Sequence, residues 1–165
     1  MPDPAHGGPS PQALVDLYSR TRYDLRLPGG SRTTVCIGHS CPATLRGFLA
    51  DTLSAFLISA CNPHSVPLDI KTNRKRMQQL LQRLKAANPP RLPGVGHIPG
   101  QPWREPLLLV AIPDVKAIDG IARQFGQNAI IHLQANRPAR LRIYRIDWQP
   151  HVRESADIEW AAQPA

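Results

Sequence analysis

Residues 54–65 read SAFLISACNPHS and set the architecture expected for the whole chain. Residues 54–60 are apolar on both faces, which is typical of a central strand buried on both sides of a sheet. A polar turn and then a basic helix start follow this strand. Free backbone N–H groups and the helix dipole favour negative charge at such a helix start. The order of strand, turn and helix therefore predicts a site for an anion.

The helix after this turn is predicted over residues 70–87. Its apolar residues recur at helical spacing and form one stripe: Met77, Leu80, Leu81 and Leu84. Asp69 or Thr72 can cap its start, and the Asn88-Pro89-Pro90 sequence ends it. Its charged residues are all basic, namely Lys71, Arg74, Lys75, Arg76, Arg83 and Lys85. A helix with charges of one sign forgoes stabilising ion pairs, which favours a role in contacting an anion.

The other elements follow from similar patterns of apolar residues. Helices are predicted over residues 12–19, 42–50 and 115–125, and strands over residues 22–27, 33–37, 107–112, 129–133 and 140–146. Residues 91–104 are rich in proline and glycine and are predicted to form a loop. Strands that alternate with helices, with a hairpin near the start, predict an α/β (α+β) fold: a mixed β-sheet of about five to six strands with about two to four helices packed on it.

The chain is predicted to form a single domain, because 165 residues fit one unit. The predicted boundaries are a disordered arm over residues 1–11, an α/β domain over residues 12–148 and a flexible tail over residues 149–165. Residues 1–11 are rich in proline and glycine and show no apolar targeting segment, and the longest apolar runs are too short to cross a bilayer. We therefore expect a cytoplasmic protein without membrane contact. Neither its oligomeric state nor a reaction follows from the sequence.

The chain is basic, with a formal net charge of +8. This balance favours an anionic partner, either a phosphorylated small molecule or a nucleic acid. A basic surface that binds nothing specific is the plain alternative. The three cysteines are an odd number, which argues against a disulfide framework in a chain without an export signal.

The primary candidate site lies around the turn after the central strand. Asn62 ends that strand, where α/β proteins commonly hold ligands. Ser65 offers a hydroxyl, Asn73 lies at the helix start, and Arg74 can donate two hydrogen bonds to a phosphate or carboxylate. A structural Asn-Pro turn is the alternative interpretation.

Three further polar residues are candidates for the same site. Glu105 precedes an apolar strand and could be a catalytic base, or a structural partner for Arg74. Gln127 and Asn128 follow a helix that ends at Gly126, and their amides can both donate and accept hydrogen bonds. A glycine-terminated helix followed by ordinary polar turn residues is the alternative interpretation. The predicted function is that of a binding domain for a small, nucleotide-like anion, with an enzyme activity left open.

Two other functions compete with this prediction. The basic helix could bind nucleic acid, as an accessory module of a ribonucleoprotein, through Lys71, Lys75, Arg83 and Lys85. Alternatively, the chain could be a protein-interaction module whose polar residues are structural. A sealed polar cluster with no adjoining cleft would favour this last function.

Five residues of the first half of the chain are of the types that bind metal ions: Cys36, His39, Cys41, Cys61 and His64. Cysteine and histidine are the usual ligands of zinc. However, their spacing matches no common zinc-finger pattern, and cysteines of strands are often simply buried. We predict no metal ion and no cofactor.

Several motifs occur in an order that resembles a known family. They lie at residues 56–65, 73–74, 93–96, 103–110 and 123–129. Together they resemble the bacterial proteins of domain of unknown function 3293, over about residues 14–145. The resemblance implies a bacterial single-domain protein and no particular activity. It also implies a shared polar signature of Asn62, Ser65, Asn73, Arg74, Glu105, Gln127 and Asn128.

Overall fold

The computed structural model describes residues 7–49 and 54–165. Within those ranges the chain forms one eight-stranded sheet and four α-helices. The strands are β1 (Arg22–Arg26), β2 (Arg32–Val35), β3 (Ser54–Ile58), β4 (Arg91–His97), β5 (Arg104–Val110), β6 (Ala129–Gln134), β7 (Arg137–Ile143) and β8 (Ile158–Trp160). The helices are α1 (Pro11–Arg20), α2 (Arg46–Leu49), α3 (Ile70–Leu84) and α4 (Val115–Gln124). The predicted single mixed α+β fold is confirmed, but the sheet has more strands than predicted.

The strands lie in the order β2-β1-β4-β5-β3-β6-β7-β8. Every neighbouring pair is antiparallel except β7 and β8, which are parallel. The segment from β3 to β6 has the β-α-β-β-α-β element order of ferredoxin-like motifs. Such a motif occurs with many functions, so the fold alone assigns none.

The sheet separates two apolar cores, and β3 contributes to both. Leu57 lies in one core with residues of α1 and α2, such as Val15 and Leu49. Phe56 lies in the other core with residues of α3 and α4, such as Leu80 and Ile118. Because successive side chains of a strand point to opposite faces, a strand covered on both sides is apolar throughout. The prediction of a central strand at β3 is thus confirmed.

The predicted loop at residues 91–104 is wrong in its first half, which forms β4. This strand pairs with β1 on one side and with β5 on the other. A Cβ atom at Gly94 would lie 2.7 Å from the backbone oxygen of Asp24. The glycine therefore allows β1 to approach closely, and pairing on both sides outweighs the low strand propensity of the segment.

The two ends of the chain also differ from the predicted boundaries. Residues 1–6 of the predicted arm lie outside the described residues, and α1 already begins at Pro11 with Ser10 as its N-cap. In the predicted flexible tail, β8 pairs with β7. Glu159 of β8 also bonds to the His132 side chain of β6 at 2.6 Å, which fixes this segment to the sheet.

The predicted short helix at residues 42–50 is a 3-10 turn, Ala43–Leu45, followed by α2. Its last residue lies outside the described part of the chain. Among the described residues, no helix is both long enough and apolar enough to cross a membrane.

Candidate ligand cleft

A cleft of about 470 Å³ opens beside α1, where β3 ends and β5 begins. Its wall is largely apolar and aromatic, with Leu14, Leu17, Tyr18, Ile98, Trp103 and Leu107. Its polar groups include five residues predicted from the sequence: Asn62, Ser65, Glu105, Gln127 and Asn128. A volume of this size and an apolar wall with few polar groups are typical of small-molecule sites.

Glu105 is the only acidic residue of the cleft wall, and no Lys or Arg belongs to that wall in the described part of the chain. Its Oε2 atom accepts a hydrogen bond of 2.8 Å from the side-chain amide of Asn62. Burial raises the pKa of Glu105, although hydrogen bonds from Asn62 and Ser59 act in the opposite direction. A buried carboxyl without a cationic partner can exchange a proton closer to neutral pH than an ordinary glutamate.

Asn62 and Asn73 hold the turn after β3 in place. Asn73 accepts a hydrogen bond of 3.0 Å from the backbone N–H of Asn62 and donates one of 2.8 Å to its side-chain oxygen. The same Asn62 oxygen accepts a hydrogen bond of 2.9 Å from the backbone N–H of Leu68. Asn73 does not line the cleft. Its role is to orient Asn62, so that the side-chain nitrogen of Asn62 donates to Glu105.

The turn itself has an uncommon backbone. Asn62, His64 and Ser65 all have positive φ angles, of 48°, 54° and 60°. The backbone N–H of His64 donates to the carbonyl oxygen of Gly126 at 2.7 Å. Non-glycine residues adopt this conformation at a cost, and such strain is concentrated at functional sites. The turn brings the Ser65 hydroxyl into the cleft.

A chain of hydrogen bonds holds the Ser65 hydroxyl in the cleft. Asn128 donates to the Ser65 hydroxyl at 2.8 Å, and Arg145 donates to the Asn128 oxygen at 3.2 Å. Tyr18 lines the same cleft from α1. Burial and the charge of Glu105 raise the pKa of Tyr18 to about 12, so its hydroxyl stays protonated. The cleft thus presents two neutral hydroxyls near one carboxyl.

Gln127 lines the cleft and is held by the turn after β3. Its side-chain nitrogen donates to the carbonyl oxygen of Cys61 at 3.0 Å. Its side-chain oxygen forms no hydrogen bond with the described residues. The Gln127 amide therefore joins the ends of β3 and α4 and leaves one acceptor for a ligand.

Arg74 does not come to the cleft. It is exposed on α3 and belongs neither to the cleft wall nor to any ion pair of the described residues. Arg76 turns inward instead and donates to the carbonyl oxygens of Ala60 and Phe125, both at 2.6 Å. This arginine caps the ends of β3 and α4, and its role is structural.

The four basic residues proposed for nucleic-acid binding, Lys71, Lys75, Arg83 and Lys85, are also exposed on α3 and lie outside the cleft. Of the potential metal ligands, Cys61 lines the cleft and His64 is exposed. Over residues 7–49 and 54–165, no three His, Cys, Asp or Glu residues are grouped so that they could hold a metal ion.

The sequence interpretation missed Tyr18, Thr21 and Tyr23, which line the cleft from the side of α1 and β1. The apolar stripe of α1 contains Tyr18, so the pattern indicated that this residue faces inward. It did not indicate that Tyr18 would line the same cleft as Ser65, because the two residues are far apart in the sequence.

Residues 58–130 match the family described as Protein of unknown function (DUF3293). This match confirms the resemblance predicted from the sequence motifs for that segment, which covers less than half of the chain. The matched segment runs from the end of β3 to the start of β6 and contains every predicted site residue. No curated protein and no solved structure matched the chain significantly.

Proposed function

We propose that the cleft binds a small organic molecule that donates a hydrogen bond to Glu105. The observation that carries this proposal is a half-buried carboxyl, in a largely apolar cleft, that has no cationic partner. An amine, amide or hydroxyl of the ligand would supply the missing partner. The aromatic rings of Tyr18 and Trp103 would contact its apolar part.

The charge of the cleft bears on the kind of ligand. The sequence favoured an anion held by Arg74, but Arg74 and the lysines of α3 lie elsewhere. A phosphate placed beside Glu105 would meet a like charge, which is unfavourable in a partly buried site. We therefore propose a neutral or cationic ligand.

Glu105 is also the proposed catalytic residue. Its raised pKa suits a group that accepts a proton from a ligand and returns it. The hydroxyls of Tyr18 and Ser65 would orient the ligand atom that reacts. The open cleft beside these residues argues against a purely structural polar cluster.

Pairs of compounds that differ in one charged group test this proposal. We would measure the binding of aromatic amines, the matching carboxylates, nucleosides and their 5′-phosphates by isothermal titration calorimetry. The amines and nucleosides should bind more tightly than their acidic counterparts. Glu105→Gln should weaken amine binding by about tenfold or more, because it removes a charge-assisted hydrogen bond.

Arg74→Ala is the matched control for this experiment. It removes a charge that lies outside the cleft, so the affinity for the amines should not change. Tighter binding of the phosphates, lost in Arg74→Ala and kept in Glu105→Gln, would overturn the proposal in favour of an anion site at α3.

A further inference from the structure

The second basic surface of the molecule lies on the sheet, away from the cleft. It consists of the outward-facing side chains of β2, β1, β4 and the start of β5, here called the open sheet face. On β1, Tyr23 and Leu25 enter the core, so Arg22, Asp24 and Arg26 face the other way. The arginines are exposed to solvent, as are Arg32 of β2 and Arg104 of β5.

The register aligns basic residues in rows across the strands. Arg22 pairs with His97, and His97 pairs with Arg104. Arg26 pairs directly with Arg32. Neighbouring strands lie about 4.8 Å apart, so these side chains are close neighbours. Like charges placed directly opposite each other destabilise a sheet, and their presence calls for a compensating partner.

The acidic residue of this face, Asp24, compensates only the row that contains His97 and Arg22. Asp24 is bonded to His97 at 2.7 Å and accepts a hydrogen bond of 2.6 Å from Thr34. Among the described residues, Arg26, Arg32 and Arg104 form no ion pair. The open sheet face therefore presents uncompensated guanidinium groups to solvent.

Helix α3 adds further positive charge on the same side of the sheet. Its apolar residues pack in the core that contains Phe56, and Leu25 of β1 belongs to the opposite core. The flank of α3 that faces α4 is marked by the hydrogen bond from Arg83 to Gln124. Successive residues of a helix are turned by about 100°, so Arg74 and Lys85 lie on the flank of α3 that faces away from α4.

We propose that the open sheet face and the adjoining flank of α3 bind the phosphate backbone of a nucleic acid. Arginine forks match phosphate oxygens, and rows of them suit a repeating anion better than a single ligand. The exposed large apolar side chains of the described residues are Val66, Ile70, Leu81, Trp103 and Ile146, and none belongs to this face. A polar, arginine-rich surface of this kind is typical of backbone contacts. The proposal is independent of the ligand of the cleft.

Fluorescence anisotropy with labelled RNA and DNA strands of about 20 nucleotides tests the proposal, since such a length exceeds the usual site of one domain. The affinity should fall steeply with salt. The double variant Arg26→Gln/Arg104→Gln should weaken binding on the order of tenfold and flatten the salt dependence by about 0.7–0.9 per lost phosphate contact. Arg153→Gln removes an exposed arginine of the C-terminal segment and should change neither the affinity nor its salt dependence.

The same variants separate the outcomes. Arg26→Gln should not lower the melting temperature, because it relieves the contact with Arg32, so weaker binding cannot be ascribed to unfolding. Unchanged affinity in the double variant would overturn the proposal, as would binding lost only on substitution of Lys71 and Lys75. Equal, arginine-dependent binding to phosphatidylserine vesicles would instead assign the face to a membrane surface. Glu105→Gln should leave nucleic-acid binding unchanged, which keeps this result separate from the cleft.

Discussion

Two groups of buried carboxyls in this molecule have opposite electrostatic environments. Glu105 in the cleft has a neutral hydrogen-bond partner, the side-chain amide of Asn62, and no cationic partner among the described residues. Asp119 and Glu159, at the junction of α4 with β7 and β8, surround Arg142. Burial acts on all three residues in the same direction, so the difference between them comes from the basic partners of Asp119 and Glu159: Arg142 at Asp119, and His132, Arg140 and Arg142 at Glu159.

The pKa values of the three residues follow from this contrast. Burial raises the pKa of Glu105, and neutral donors do not reverse the effect. Burial would also raise the pKa of Asp119 and Glu159, but both values are lowered overall. Hydrogen bonds from Arg142 and Tyr144 lower the pKa of Asp119, and the hydrogen bond and charge of His132, together with the charges of Arg140 and Arg142, lower that of Glu159. Asp119 and Glu159 are thus held in their charged form by basic partners within the protein, whereas Glu105 has no such partner. A carboxyl of the second kind is available to bind a ligand.

The largest expected effect comes from removing the arginine. Arg142 donates to both oxygens of Asp119, at 2.8 and 2.7 Å, and to Glu159 at 3.0 Å. Arg142→Met removes the ion-pair partner of the buried Asp119, which keeps only the hydrogen bond from the Tyr144 hydroxyl among the described residues, whereas Glu159 keeps His132 and Arg140. The substitution should lower the free energy of unfolding by about 3–5 kcal/mol in urea denaturation at pH 7. Arg137→Met, at an exposed position of β7, should change it by less than about 0.5 kcal/mol.

The loss of free energy of unfolding in Arg142→Met should depend on pH. The native carboxyls have lowered pKa values, so their stabilising effect is present above their unfolded pKa and is lost as the pH falls through the folded value. The variant should therefore approach the parent protein in stability on acidification. A deficit below about 1 kcal/mol at neutral pH would contradict a structural role for this network.

The backbone of the turn beside the cleft gives an intermediate effect. Gly126 has a φ of +68°, and an added Cβ would lie 2.9 Å from the Cβ of Pro63. Gly126→Ala should destabilise the protein by about 1–3 kcal/mol, because the new methyl group strains the backbone and displaces the turn. It should also weaken ligand binding in the cleft, since Ser65 belongs to that turn.

Gly120→Ala is the control for this substitution. Gly120 is exposed in α4, and an added Cβ would meet no atom within 4 Å. The alanine should stabilise the helix by about 0.5–1 kcal/mol in the same thermal or urea assay. If Gly126→Ala and Gly120→Ala change the stability in the same direction and by a similar amount, the turn is not held by the close approach of Gly126 to Pro63.

The smallest effect on stability is expected at Glu105 and has the opposite sign. Its pKa is raised in the folded protein, so the ionised carboxyl destabilises the fold above that pKa, and this cost vanishes as the pH falls below the ordinary glutamate value. Glu105→Gln should therefore stabilise the protein by about 0.5–1 kcal/mol at pH 7 and by almost nothing near pH 4. Destabilisation at pH 7 would mean that the carboxylate already has a favourable partner.

The sequence predicted the elements whose burial leaves a distinct apolar pattern. β3 is covered on both faces and is apolar throughout, and α3 has one apolar stripe at helical spacing. It did not predict β4, where pairing with both β1 and β5 stabilises a segment with prolines and glycines. Nor did it predict β8, a strand of three residues anchored through Glu159. Such long-range contacts leave no local pattern.

The candidate site was predictable to a similar extent. Asn62, Ser65, Glu105, Gln127 and Asn128 do converge, since each follows or precedes a strand or helix at the same end of the sheet. Arg74 was predicted to reach the site but is exposed on α3. Because successive side chains of a helix are turned by about 100°, it is Arg76, two positions further on, that points into the molecule. The side chain that contacts the turn could be identified only from the packing of α3.

Titration of the glutamate side chains by NMR tests the central contrast most directly. The carboxyl ¹³C signals of Glu105 and Glu159 can be followed from acid to neutral pH in the same sample. We expect the pKa of Glu105 to lie above the ordinary glutamate value, and that of Glu159 to lie below it. A pKa of Glu105 at or below that of Glu159 would show that the cleft carboxyl is already compensated, and would contradict the proposed binding site.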